Sequence, residues 1–282
     1  MKETSVIVSN SYKKHLSTSY YLSIQLSLDG LSFCVFDPVS NSFVAMGHYD
    51  IEDEDESFSK HEEVLLKSEI FREQFKKTTV SVESRSFSVV PKGLYDADKA
   101  ADVLGFIGCK VTKEDKVLAD EIDMAGAVVV YSISNFLYYF LRTQFANIQI
   151  VHAMTPVINT ALLKHDNDKK RAIVHAVFGC DGVSVVVVEQ NMFKLCNKFK
   201  YKAASDLVYI ITYMLSQLGL NNDQTKIVVS GNMERNDDRS QLLKRFVHNV
   251  SFAKLPQYFA YDINVMQPEH KFVNLFNMSL CV

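Results

Sequence analysis

The residues with the most chemical potential in this 282-residue chain sit in two turns of one pattern. They are Asp29-Gly30 with Ser32 in DGLSFCVFD (29–37), and Asp181-Gly182 with Ser184 in DGVSVVVVE (181–189). A carboxylate beside glycine and a hydroxyl suits phosphate and Mg²⁺ chemistry, because glycine lets backbone N–H groups approach phosphate oxygens and the carboxylate holds the ion through water. Asp-Gly between apolar runs is equally the strongest short-range hairpin signal, and that reading needs no ligand. Cys180 adds a thiol to the second turn, where a buried or unreactive sulfur is the simpler expectation than a thiolate.

Such turns need rigid elements to hold them, and the flanking sequence supplies the same set twice. Leu22, Ile24, Leu26 and Leu28 alternate with Ser23, Gln25 and Ser27, the pattern of a half-buried strand. An apolar partner (31–36) leaves the turn and a third strand (43–49) follows; in the second half 172–178, 183–189 and 193–201 repeat the arrangement. The repeat predicts two related α/β halves facing each other across a cleft. In the second half, Leu207, Ile210, Ile211, Met214 and Leu218 keep helical spacing up to Gly219. A buried strand from Lys226 ends in Ser230-Gly231-Asn232, Asp237 or Asp238 opens another helix, and 250–253 is a last strand. In the first half, Ser59 with Glu62 forms a capping box for a helix reaching about Lys77. Strands at 78–82 and 148–151 follow, and Thr155 before Pro156 reads as the N-cap of the next helix. Between them lies a small insertion, about 84–125, with short strands and an Asp96-capped helix; the apolar run 127–131 is of the kind buried in mid-sheet, and Ser134 opens a helix to Phe145.

The expected organisation is a flexible arm (1–20), a first domain (21–166) that carries the insertion, and a second domain (167–282). The polar linker HDNDKKR (165–171) joins the two. The acidic run 52–56 reads as a solvated connector, and the aromatic tail as packed down.

Composition narrows the function. Hydrophobic residues at 48% and charged residues at 22% describe an ordinary globular chain, and a net charge of -3 argues against a dedicated nucleic-acid binder. The start is polar, without the apolar core of a signal peptide, and no apolar stretch is long enough to span a membrane, so the expectation is a cytoplasmic protein with no transmembrane segment. Five cysteines without a CxxC spacing read as reduced thiols, Cys34 and Cys196 within strands. The sequence has no GxxxxGK[ST] loop, GxGxxG fingerprint, GxSxG elbow or HExxH helix. Its histidines are scattered, His175 reads as a sheet residue, and the aromatics follow the core rather than a base-stacking surface. No catalytic or metal-ligating set emerges.

The order β-β-β-α-β-α-β, present twice, resembles the actin-like ATPase superfold, two ribonuclease-H-like domains of mixed β-sheet flanked by helices. That resemblance implies a nucleotide, ATP with Mg²⁺, with Asp29, Gly30 and Ser32 in a first phosphate loop. Gly179, Asp181, Gly182 and Ser184 would form the second, and Gly231, with Ser230 and Asn232, an adenosine-side loop. The chain departs from it as well: Asp and Gly are adjacent, bulky Leu31 and Val183 follow, Gly231 stands alone, and no residue suggests itself to orient an attacking water. The segments LSIQLSLDGLSFCVFD, FKYKAASDLVYIITYMLSQLGL and FNMSLCV resemble a family of uncharacterised proteins from Bacteroides-type bacteria, a domain of unknown function with an actin-like ATPase fold. The expectation is a non-catalytic interaction or regulatory protein with a degenerate nucleotide cleft and an unknown protein partner. The alternative is an ATP-binding protein with slow hydrolysis or a small-molecule kinase.

Overall fold

The computed structural model of the chain describes residues 2–51, 57–165 and 171–281. The acidic connector at 52–56 and most of the polar linker lie outside the described residues. The chain divides into two compact units. Unit 1 comprises Met1–Thr155, Pro256–Met266 and Leu275–Val282, and unit 2 comprises Pro156–Leu255 and Gln267–Asn274.

Unit 1 contains strands β1 (Lys2–Val8), β2 (Tyr21–Ser27), β3 (Gly30–Asp37), β4 (Ser42–Asp50), β5 (Lys77–Val82), β6 (Phe87–Pro91), β7 (Asp115–Ile122), β8 (Ala127–Ser134) and β9 (Ile148–His152). Its helices are α1 (Ser57–Lys67), α2 (Ala100–Phe106) and α3 (Asn135–Gln144), and α4 (Met154–His165) carries the chain into unit 2. The main sheet has the order β1-β4-β3-β2-β5-β9. β2 runs antiparallel to β3 and parallel to β5, which is parallel to β9. Leu22, Ile24 and Leu26 of β2 are buried as their alternation requires. Phe33 and Phe71 pack edge to face at 5.1 Å, the favoured aromatic geometry.

Unit 2 contains β10 (Ile173–Phe178), β11 (Val183–Glu189), β12 (Met192–Phe199), α5 (Ala204–Gln217), β13 (Lys226–Gly231), α6 (Asp238–Phe246) and β14 (Asn249–Phe252). Its sheet order is β12-β11-β10-β13-β14. The middle strand is again antiparallel to one neighbour and parallel to the other. Leu207, Ile211, Met214 and Leu215 of α5 join Val174, Ala176, Val185 and Val187 in one buried core. Each buried Leu, Ile, Met or Val among them stabilises the fold by roughly 1.5–3 kcal/mol. Gly219 adopts φ +68° just past α5, the left-handed stop that glycine supplies.

Several expectations are corrected. The polar start is no loose arm: β1 pairs antiparallel with β4 from Lys2↔Asp50 to Val8↔Ala45, because a short β-branched stretch is stabilised by a distant ladder. α1 stops at Lys67 rather than running to Lys77, where Ser68 turns extended and its hydroxyl meets that of Tyr49 at 2.6 Å. Thr155 does not cap α4; its hydroxyl, inside the first turn, donates to Asp120 Oδ2 at 2.6 Å. The insertion is completed by β8, the central strand of a three-stranded sheet β6-β8-β7, whose Val128 and Val130 pack against Ala100 and Leu104 of α2. Ser134 and Asp237 do cap α3 and α6, accepting from Leu137 N and Ser240 N. The tail is packed, and not within the second unit alone. Ala260–Tyr261 forms β15 on β4, Phe276 is buried against Phe43, and Gln267–Asn274 between them belongs to unit 2.

Candidate functional site

The first hairpin is tighter than its Asp-Gly pair suggests. Ser27 pairs with Gly30 across the turn, so Leu28 and Asp29 form the tip and Gly30 opens β3. Gly30 has no positive φ, and its need for glycine comes from crowding: a Cβ there would lie 2.7 Å from Tyr49 O. Ser27 Oγ donates to Asp29 Oδ1 at 2.8 Å, and the Asp29 carbonyl accepts from Ile51 N at 2.9 Å. The Gly30 carbonyl accepts from His61 Nε2 of α1 at 3.1 Å. Burial pushes the His61 pKa below its ordinary value, which keeps the ring neutral at pH 7.

Ser32 is also engaged. It stands opposite His48 in the β3–β4 ladder, its hydroxyl 2.8 Å from His48 Nδ1, and His48 Nε2 is 2.9 Å from Asp50 Oδ1. Ser32, His48 and Asp50 thus form a hydrogen-bonded chain across two strands, with His48 buried.

The second hairpin has the same plan with different side chains. Gly179 N donates to Gly182 O at 3.0 Å, closing a loop around Asp181 and the exposed Cys180. A Cβ at Gly182 would lie 2.3 Å from Phe199 O, so the glycine is again required by the facing strand. Ser184 stands opposite Lys198, as Ser32 stands opposite His48. Lys198 Nζ reaches Asp181 Oδ1 at 2.6 Å, with each side chain only 11% exposed. The carboxylate expected in the second phosphate loop is therefore held by an ammonium group.

At the end of β13, Gly231 has φ +80°, and a Cβ there would meet Phe178 O at 2.2 Å. Asn232 N donates to that same carbonyl at 2.7 Å. Ser230 Oγ accepts from Asn274 Nδ2 at 3.2 Å. Beside it, Arg239 is fixed by Asp237 (2.5 Å), the Tyr201 hydroxyl (3.0 Å) and the Asn232 carbonyl (3.2 Å). Within unit 1 the structure brings Asp29, Gly30 and Ser32 together, and within unit 2 it gathers Gly179, Asp181, Gly182 and Ser184 at one tip with Gly231 on the neighbouring side of β10.

His48, Asp50, His61, Lys198 and Arg239 were not singled out from the sequence. The signal for two of them was present: His48 and Lys198 lie 16 and 14 residues beyond the serines they face (48 − 32 and 198 − 184), the offset a hairpin ladder imposes.

Two mixed sheets with one strand order and one pattern of directions, flanked by helices, define the actin-like ATPase fold. Solved structures agree. A Bacteroides thetaiotaomicron protein with an actin-like ATPase fold and unknown function matches at TM-score 0.83 and 19% identity, over 97% of this chain and 100% of that one. A PilM–PilN type IV pilus biogenesis complex matches at TM-score 0.63 and 10% identity, over 93% and 98%. The ethanolamine utilization protein EutJ from Carboxydothermus hydrogenoformans matches at 0.51 and 9%, over 97% and 92%. The chain belongs to the family described as protein of unknown function (DUF3822), which matches residues 9–250. No curated protein matches its sequence. Among the described residues, no helix is long and apolar enough to cross a membrane.

Proposed function

We propose that this chain is a non-catalytic interaction or regulatory protein of the cytoplasm, built on an actin-like fold whose nucleotide site is degenerate. One observation carries the reading: Asp181, the carboxylate of the second hairpin, is ion-paired to Lys198 at 2.6 Å where both are largely buried. Asp29 is likewise bonded to Ser27, Ser32 to His48, and the three glycines press on carbonyl oxygens of Tyr49, Phe199 and Phe178. Polar groups that a nucleotide would need are spent on the protein. The PilM–PilN structure supports the use of this fold in a protein assembly.

The alternative, an ATP-binding protein with slow hydrolysis or kinase activity, draws on the retained hairpin tips. In it Asp29 holds Mg²⁺ and the amides of Gly30, Gly179 and Gly182 hold phosphates. Thermal-shift titration with Mg-ATP, Mg-ADP and Mg²⁺ alone separates the two. A ligand at 100 times its Kd adds about 2.7 kcal/mol, which raises Tm by roughly 5 °C or more. The proposed reading expects no shift at millimolar nucleotide; a saturable shift lost in Asp29→Ala would establish the alternative.

A further inference from the structure

The duplication makes the two outer sheet edges directly comparable. Gly30 and Gly182 each press on a facing carbonyl, that of Tyr49 and of Phe199, and Leu31↔Tyr49 has its counterpart in Val183↔Phe199. By this register β12 is the counterpart of β4. Met46, Gly47, His48, Tyr49 and Asp50 correspond to Cys196, Asn197, Lys198, Phe199 and Lys200.

On β4 the outer edge is occupied. β1 adds to it antiparallel, Ile7 opposite Met46 and Ser5 opposite His48, with Lys2 opposite Asp50. On β12 the same edge ends the sheet: among the described residues no strand pairs with its outer side. β12 is also more open than β4, with Met192, Lys194 and Asn197 exposed where β4 is buried almost throughout. An open edge presents a row of N–H and C=O groups that another extended segment completes.

The charge of this edge selects its occupant. Where β4 carries Asp50 opposite a lysine, unit 2 carries exposed Lys200, followed by exposed Lys202; Lys194, on β12 itself, is paired with Glu189 at 3.4 Å, so the charge of this end rests on Lys200 and Lys202. β12 itself carries no carboxylate, so a second copy of the strand would offer Lys200 and Lys202 no counter-charge, which disfavours self-pairing. We propose that β12 is a docking edge for an extended acidic segment of a partner protein. This segment adds as an antiparallel strand in the place β1 takes on β4, with carboxylates near Lys200 and Lys202.

The proposal rests on the interaction-protein reading and names the surface and partner chemistry for it. The test uses the whole chain and an eight-residue peptide alternating Glu with Val or Thr. Its controls are the lysine counterpart and two versions N-methylated on alternate residues. The expected result is binding of the acidic peptide alone, amide-exchange protection on β12, and loss of binding in one methylation frame but not the other. Charge reversal at Lys200→Glu with Lys202→Glu should weaken binding roughly tenfold, and added salt should weaken it in wild type. Failure of the acidic peptide to bind, equal binding of the lysine peptide, protection elsewhere, or self-association through β12 in sedimentation would each overturn the proposal. Peptide binding and nucleotide binding are read separately, so failure here leaves the nucleotide titration to judge the broader reading.

Discussion

Unit 1 and unit 2 share a backbone and differ in what they hang on it. At both hairpins a glycine lies against the carbonyl of the third strand, and a serine one step further in faces a polar residue of that strand. In unit 1 that residue is His48, which passes the contact on to Asp50. In unit 2 it is Lys198, which turns to the hairpin's own Asp181. Backbone packing is therefore the common requirement, while the side chains are used differently: in a cross-strand Ser–His–Asp hydrogen-bonded chain in one unit and in a Lys–Asp ion pair in the other. Neither hairpin leaves its carboxylate, Asp29 or Asp181, without a protein partner.

The sharpest break in this comparison is at the facing residues. Lys198→Met leaves Asp181 charged and largely buried without its ammonium partner, and should cost about 3–5 kcal/mol in urea unfolding. His48→Gln interrupts the Ser32–His48–Asp50 chain, whose carboxylate is 46% exposed and keeps its water, and should cost about 1 kcal/mol. Equal losses would contradict the contrast between units.

The glycines give the next largest effect. Gly182→Ala forces a Cβ to within 2.3 Å of a backbone oxygen and should destabilise by about 3 kcal/mol, the upper end for overpacking. Gly30→Ala meets its carbonyl at 2.7 Å and should cost about 1–2 kcal/mol. A neutral Gly182→Ala would show that the facing strand yields easily.

A smaller effect tests unit 1 alone. Burial pushes the Asp120 carboxyl up to about 6, although Thr155, the His152 amide and Tyr131 donate to it. A folded-state pKa above the unfolded one gives stability that is fully present below the unfolded value and lost as pH rises through about 6. Tm of the wild type should therefore fall between pH 4 and 7 by more than that of Asp120→Asn. Parallel curves would show that Asp120 does not titrate there.

The fold was legible because its signals are local. The alternation at 22–28, the helical spacing of Leu207, Ile211, Met214 and Leu218, and the two Asp-Gly turns each declare an element within a few residues, and their repetition declares the duplication. β1 was not legible, since a seven-residue strand of mixed polarity is stabilised only by β4, some forty positions on. In sequence the glycines have the composition of turn formers that could cradle phosphate. Only the register across β3–β4 and β11–β12 shows which carbonyl each one meets. The ladder offset places Lys198 opposite Ser184, but nothing in sequence links it to Asp181 until the hairpin brings them together. Thr155 had the composition of a cap, but a carboxylate from β7, 35 positions earlier, took its hydroxyl.

The central claim is that Asp181 serves the fold and not a ligand. Urea unfolding of wild type and Asp181→Asn, each with and without millimolar Mg-ATP, tests it most directly. The account predicts that Asp181→Asn shifts the midpoint and that nucleotide shifts neither protein. A midpoint raised by Mg-ATP in wild type, and left unmoved in Asp181→Asn, would contradict it and make the second hairpin a working nucleotide site.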